Sequence, residues 1–475
     1  MSSLTVFLII SCYFLMLIVT SLYTGRKSDS LTFFTANKKS SWYLVAFGTI
    51  GTSLSGVTFI SVPGEVGNSQ FSYFQMALGF LLGYFIIGAV LLPLYYRLKL
   101  ISIYSYLEGR FGFWSFKTGA LIFMISRIIG ASLRLFLVAS VLHLGFFEKF
   151  DVPFWVTVSV AISLIWLYTF QGGIKTIVLT DALQTFFMIL AVFVTIYMIK
   201  QDLNLSFTGL VETVNESSYS KTFFWDGSKN NFFKQFFAGA FIVISMIGLD
   251  QSMMQKHLTC ASLKDAQKNI FWFSIAVVIV LFLFIGLGAL LHIFAAQKGI
   301  ETPESTDQLY PILALNHLSS FTGAIFLLGI IAAAYSSADS ALTSLTTSFC
   351  FDFLNFKKDE KYDKKVRLIV HLGFSILIFL VILVFRAFND ESVVSAIYKV
   401  SGYTYGPLVG LFAFGLFSKI QIKDKWTPLI CLLSPGVSYI ININAVSWFG
   451  YTFGFELLIV NALFTFIGLW WIRSD

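Results

Sequence analysis

Charge is what this sequence has least of: Asp, Glu, Lys and Arg make up only 12% of its 475 residues, against roughly a quarter in soluble globular domains. With 57% apolar residues and a mean hydropathy of +0.80, that scarcity excludes an ordinary soluble domain and places the chain in a bilayer. Cysteine is sparse too. Cys12, Cys260, Cys350 and Cys431 stand far apart with no CxxC, which indicates neither a disulfide framework nor a zinc site. The five histidines are dispersed, and no HExxH, GxSxG or Walker pattern occurs, so no enzyme constellation is present. The net charge of +7 is not gathered on one stripe: basic residues fall in short clusters between apolar runs, which argues against a nucleic-acid partner and for an orienting role at a membrane.

Long apolar runs are abundant. Those of crossing length lie at about 4–24, 42–62, 72–96, 118–145, 154–171, 177–199, 235–253, 270–296, 321–351, 366–388, 394–417, 427–444 and 455–472. They predict an all-α polytopic membrane protein with about 13 transmembrane helices. The first run is too long for a signal-peptide core, lacks an AxA-like cleavage site and precedes the basic GRKSDS, so it reads as an uncleaved span. Most Lys and Arg then share one side of the membrane; Lys149, Lys200, Lys221, Lys229, Lys234, Lys298 and Arg386 lie on the other, and Arg127, Arg134 and Lys399 fall within spans. The positive-inside rule puts the N-terminus outside and the C-terminus in the cytoplasm. The host membrane is the plasma membrane, or the inner membrane of a two-membrane bacterium.

Residues 1–41 hold an extra N-terminal span and its cytoplasmic loop, 200–234 an extracellular loop, and 418–475 two peripheral C-terminal spans. Between them, 42–199 and 235–417 form two blocks of five spans. Five is odd, so the second block enters from the opposite side, and two blocks of one fold make a five-plus-five inverted repeat. The first span of each block is interrupted, by Gly51-Thr52-Ser53-Leu54-Ser55-Gly56 and by Ser245-Met246-Ile247-Gly248-Leu249-Asp250-Gln251. Paired breaks point to a binding site, although Gly and Ser also serve tight helix contacts.

Ionisable and hydroxyl groups at mid-membrane need a partner or a cavity. In span 321–351, Ala333, Ser336, Ser337, Ser340, Ser344 and Thr347 fall on one helical stripe with Asp339 at its flank. Such hard oxygen ligands suit an alkali cation, and the same small residues suit a packing seam. Asp181, in GGIKTIVLTDALQ, calls for a cation or for an arginine such as Arg127. Asp250, beside Lys256 near the inner face, reads with Gln251 as a gating or structural group. Arg127 and Arg134 are two turns apart on one helix face, where a guanidinium forks onto a carboxylate of a substrate or of the protein itself.

The stretches GGIKTIVLTDALQ, GLDQSMMQKHLTCASLKDAQ, AAAYSSADSALTS and GYTYGPLVGLFAFGLF resemble, in this order and spacing, the sodium/solute symporter family, which carries sugars, sialic acid, proline, monocarboxylates and iodide. The resemblance implies a LeuT-like core, alternating access and coupling to one or two sodium ions. It implies a first sodium site of the Gly51, Leu54 and Ala333 carbonyls with the Ser336 and Ser337 hydroxyls. A second site of some members would resemble Asp181 with Ser340 and a shared Ser336, and Asp339 stands where another hydroxyl is usual. Ser55 and Thr58 match substrate-facing positions, Gln75 is a further polar contact, and the anion-binding arginine of the sialic acid branch corresponds to the helix of Arg127 and Arg134.

One sodium ion entering down roughly 100 mV gains about 2.3 kcal/mol, and a tenfold gradient adds about 1.4. A co-transported monoanion cancels the electrical part, so an anionic substrate favours a second ion at Asp181 and a Hill coefficient for sodium above one. The expected protein is thus a symporter importing a small polar organic solute such as an organic anion or a sugar, with sodium, solute and lipid as partners and a monomer as the working unit. The rival readings are a solute sensor, which would need a signalling domain after Asp475, and a channel, which would need a continuous pore lining.

Overall fold

The computed structural model describes residues 3–25, 34–143, 147–356, 364–388 and 393–474. The basic stretches beginning at Arg26 and at Lys357 therefore lie partly outside the described residues. The fold is all-helical, with only two isolated β-bridges, Ser40 to Cys260 and Ile422 to Arg473, among the described residues.

The main helices run in chain order as α1 (Ser3–Gly25), α2 (Trp42–Ser69), α3 (Ser72–Leu98), α4 (Phe113–Leu142), α5 (Phe154–Leu167), α6 (Gly173–Asp202), α7 (Phe232–Gly248) and α8 (Gln251–His257). They continue as α9 (Leu263–Gln297), α10 (Ser320–Phe353), α11 (Lys364–Phe388), α12 (Val393–Phe417), α13 (Thr427–Phe449) and α14 (Leu457–Trp471). Among the described residues, nine helices are long and apolar enough to cross a membrane, and α7 with α8 makes a tenth span bent by 72°. Three shorter apolar helices, Ser11–Thr24, Phe154–Leu167 and Leu457–Trp471, stand where the remaining apolar runs fell.

Both interruptions read from the sequence are real bends. In α2 the helix breaks at Ser55 (φ 45, ψ 174), a conformation costing a non-glycine residue about 1–3 kcal/mol and held only by surrounding packing. The second break lies between α7 and α8, where polar side chains take up freed backbone groups. The Tyr95 hydroxyl donates to the Gly248 carbonyl at 2.9 Å and the Tyr104 hydroxyl to the Leu249 carbonyl at 2.8 Å. Asp250 caps α8 by accepting from the Ser252 and Met253 amides at 2.8 and 3.2 Å.

Burial shows which helices form the centre. In α2 89% of the most apolar stretch is buried and in α10 83%, against 22% in α11 and α13. The first pair is enclosed by α6, α9 and α4; the second pair presents Ile369, Leu372, Ile376, Leu432 and Ile443 outward, as lipid-facing helices do. Glycine permits the closest approaches at the centre: a Cβ on Gly51 would collide with the Thr185 hydroxyl, whose Oγ1 accepts the Gly51 amide at 2.9 Å. The interrupted helix is thereby fixed to α6 just before its break.

Candidate functional site

The bend in α2 faces the hydroxyl stripe of α10. Ser337 Oγ lies 3.2 Å from the Thr52 carbonyl and 3.4 Å from the Ala333 carbonyl, so oxygens of both helices converge one turn before Ser55. All of Gly51, Leu54, Ala333, Ser336 and Ser337 are buried around this point. The donor set is backbone carbonyl and hydroxyl only, which suits a hard, weakly charged cation such as sodium and offers no nitrogen or sulfur to a transition metal. Thr52 is a contributor that the sequence reading passed over, although it sits inside the break.

The hydroxyl stripe divides into two parts. Ser336 Oγ reaches outward, to Asp181 Oδ1 at 2.5 Å and to Thr52 Oγ1 at 2.7 Å. Ser340 instead donates to the Ser336 carbonyl at 2.8 Å and to Asp339 at 3.1 Å. Below them Ser344 returns to the Ala341 carbonyl, while Thr347 accepts from the Gln255 amide at 3.2 Å. The lower half of the stripe thus spends its hydroxyls on its own helix and on α8. Among the described residues no hydrogen bond joins Asp181 to Ser340, and Asp339 accepts from Ser340.

Lys256 alters the reading of Asp181. Its Nζ is 2.5 Å from Asp181 Oδ2 and also contacts Thr52 Oγ1, with the side chain 1% exposed. The sequence placed Lys256 in a cytoplasmic loop beside Asp250, because a lysine after an apolar run ordinarily marks a membrane boundary. The 72° bend at Asp250 instead turns the short α8 back into the core. Asp250 pairs elsewhere: its Oδ2 accepts from the Tyr405 hydroxyl at 2.6 Å and lies 3.8 Å from Arg127 Nη1. Gln251 accepts from the Ile103 amide at 3.0 Å and donates to the Ile101 carbonyl at 2.7 Å. Both residues act as pins between the bend, α12 and the loop before α4.

Beyond the bend lies a cavity of about 70 Å³ lined by Thr52, Ser55, Thr58, Arg127, Arg134 and Tyr398, with apolar groups from α3 and α7. Both arginines face it. Buried Arg127 Nε and Nη2 and Arg134 Nε make no hydrogen bond among the described residues, and such orphaned guanidinium donors are costly to bury. Gln75 lies elsewhere: its amide is taken up by the Asn230 carbonyl at 2.8 Å and the Phe224 amide at 3.0 Å, so it fastens the 218–232 segment instead of lining the cavity. Tyr398, on α12, was not singled out from the sequence. Its hydroxyl bonds that of Tyr73 at 2.6 Å, and both tyrosines line a wider vestibule of about 360 Å³ that includes Glu65, Lys229, Asn230 and Lys399.

The family model described as "Sodium:solute symporter family" matches residues 33–422. The chain belongs to the sodium:solute symporter family. Relatives include the sodium/sialic acid symporter of Aliivibrio fischeri, 23% identical over 83% of this chain and 79% of the relative, and that of Proteus mirabilis, 24% identical over 85% and 82%. The mouse sodium-coupled monocarboxylate transporter 2 is 24% identical over 82% of this chain and 64% of its own length. Among solved structures, a substrate-bound, outward-open sodium-coupled sialic acid symporter superposes with a TM-score of 0.82 at 20% identity, covering 98% of this chain and 96% of the other. The nucleobase-cation symporter Mhp1 in a closed conformation gives 0.57 at 13% identity over 92% of each chain. The symporter shares its fold with the first of these, and its family consists of transporters, not enzymes.

Proposed function

We propose that the protein is a sodium-coupled importer of a small organic anion, working by alternating access. The observation that carries this reading is the pair of arginines, whose unpaired guanidinium nitrogens face the same cavity as Ser55 and Thr58, within a turn of the converging oxygens of α2 and α10. A carboxylate forked onto those donors satisfies them, and the flanking hydroxyls suit the polar remainder of a sugar acid or hydroxy acid. Relatives that carry sialic acid and monocarboxylates support the same class.

Sodium binds between the α2 bend and α10, held by the Gly51, Leu54 and Ala333 carbonyls, the Ser336 and Ser337 hydroxyls, and the Thr52 carbonyl added by the geometry. An ion there ties the bent helix to its partner and so biases the solute cavity. At about 70 Å³ the cavity is far below the roughly 300 Å³ or more of a typical ligand pocket. Solute entry therefore requires the Tyr73 and Tyr398 hydroxyls to part and join the cavity to the vestibule. Residues 42–199 and 235–417 act as inverted repeats within thirteen spans; the N-terminus is outside, the C-terminus cytoplasmic, the membrane the plasma or inner membrane, and the working unit a monomer.

Purified protein screened for sodium-dependent thermal stabilisation by sialic acid, sugar acids and monocarboxylates identifies the ligand, because a molecule selective for the folded state raises its melting temperature. Uptake of that ligand into proteoliposomes, with and without an inward sodium gradient, then tests the proposal. Equal uptake in both conditions refutes sodium coupling.

A further inference from the structure

The buried Lys256 ammonium takes no part in the sodium and solute contacts described above. We propose that it is a built-in cation, occupying the position at Asp181 where a second sodium would otherwise bind, so that this transporter binds and carries a single sodium ion per cycle. The inference rests on the reading that sodium binds between α2 and α10.

The geometry closes a ring. Lys256 donates to Asp181 Oδ2 at 2.5 Å and to the Thr52 hydroxyl; Ser336 donates to Asp181 Oδ1 at 2.5 Å. Because Ser336 spends its proton on Asp181, Thr52 is the donor in the 2.7 Å contact between their hydroxyls. Each hydroxyl proton has an acceptor, both carboxylate oxygens are engaged, and the ring's one negative charge meets one positive charge. All four residues are buried, with Asp181 and Ser336 at 0% exposure, Lys256 at 1% and Thr52 at 2%. A sodium ion on these oxygens would put two cations on one carboxylate out of reach of water, where like charges are least screened. Ser340, which an oxygen cage around Asp181 would need, is turned to the Ser336 carbonyl and Asp339.

The ammonium is held there by the fold and not by its own flexible stem alone. Lys256 closes the short α8, whose start is capped by Asp250, and Asp250 is tied to α12 through Tyr405 and to α4 through Arg127. The same Thr52 whose hydroxyl receives Lys256 presents its carbonyl to Ser337, so the tethered charge borders the first sodium site directly.

Equilibrium binding of radiolabelled sodium to the purified full-length protein, without solute, tests this. Wild type is expected to bind one ion. Lys256→Met, which leaves Asp181 without a counter-charge, is expected to bind two; Lys256→Met with Asp181→Asn returns to one, and Lys256→Arg stays at one. Two ions on wild type, or one ion on a cooperatively melting Lys256→Met, overturns the proposal. Where Lys256→Met does not hold its fold, the wild-type and Lys256→Arg counts decide, one ion supporting and two overturning. No saturable sodium binding to wild type refutes instead the first-site reading on which the inference rests.

Discussion

Arg127 and Arg134 share a helix, a face and a cavity, yet different partners give them different work. Arg127 lies 3.8 Å from the buried Asp250, so its truncation leaves a carboxylate at the helix bend short of a counter-charge. Arg127→Ala is expected to lose about 3 kcal/mol of stability, read as a lowered melting temperature with or without ligand. Among the described residues no acid lies within ion-pair distance of Arg134. Arg134→Ala is expected to melt near wild type and to lose the stabilisation given by carboxylate ligands; retained ligand stabilisation would remove it from the site. Ser337 tests the neighbouring ion site in the same way. Replacing a hydroxyl that contacts a charged partner costs about 1.5–3 kcal/mol, so Ser337→Ala is expected to weaken sodium binding at least tenfold in a radiolabelled sodium titration, and an unchanged affinity would exclude it as a ligand.

At the scale of elements, the two interrupted helices divide the labour. The α2 bend exposes its carbonyls toward α10, whereas the α7 to α8 bend is stopped with tyrosine hydroxyls and an aspartate cap and serves to aim Lys256 inward. The segment leading to α12 has its own titratable clasp: Asp307, on the short turn Thr306–Gln308, accepts the Val393 amide at 2.9 Å at the start of that helix. Burial pushes the Asp307 carboxyl above the ordinary aspartate value. The folded protein therefore keeps this proton where the unfolded chain has lost it, and the associated stability is present below the unfolded value and lost as pH rises through the folded one. Asp307→Asn, which keeps an acceptor without the charge, is expected to match wild type at about pH 4 and to become the more stable of the two as pH rises toward neutrality. Melting temperatures of both proteins across that range check it; a constant difference would rule out titration of Asp307.

For the whole molecule, ion stoichiometry sets what the carrier can accumulate. An anionic solute entering with sodium led the sequence reading to expect a second ion at Asp181, but Lys256 already holds that carboxylate. One sodium with one monoanion moves no net charge. Accumulation is then limited to the sodium ratio, about 1.4 kcal/mol for a tenfold gradient, and clamping the membrane potential in proteoliposomes is expected to leave it unchanged. A Hill coefficient for sodium near one accompanies this outcome; uptake that rises with an inside-negative potential would contradict it.

Much of this was legible along the chain. Apolar runs, the breaks at Gly51–Gly56 and Ser245–Gln251, and the oxygen-rich stripe through Ser336 and Ser337 are properties of single helices, and composition and periodicity report those directly. Partnerships are not local in that sense. The apolar runs show that Asp181, Asp250 and Arg127 are costly in lipid, but they do not say which acid meets which base. Only tertiary packing decided that: a 72° turn at Asp250 carries Lys256 from its expected place at the membrane boundary to Asp181, leaves Asp250 to Arg127 and Tyr405, and so exchanges the pairs that proximity in sequence would have made.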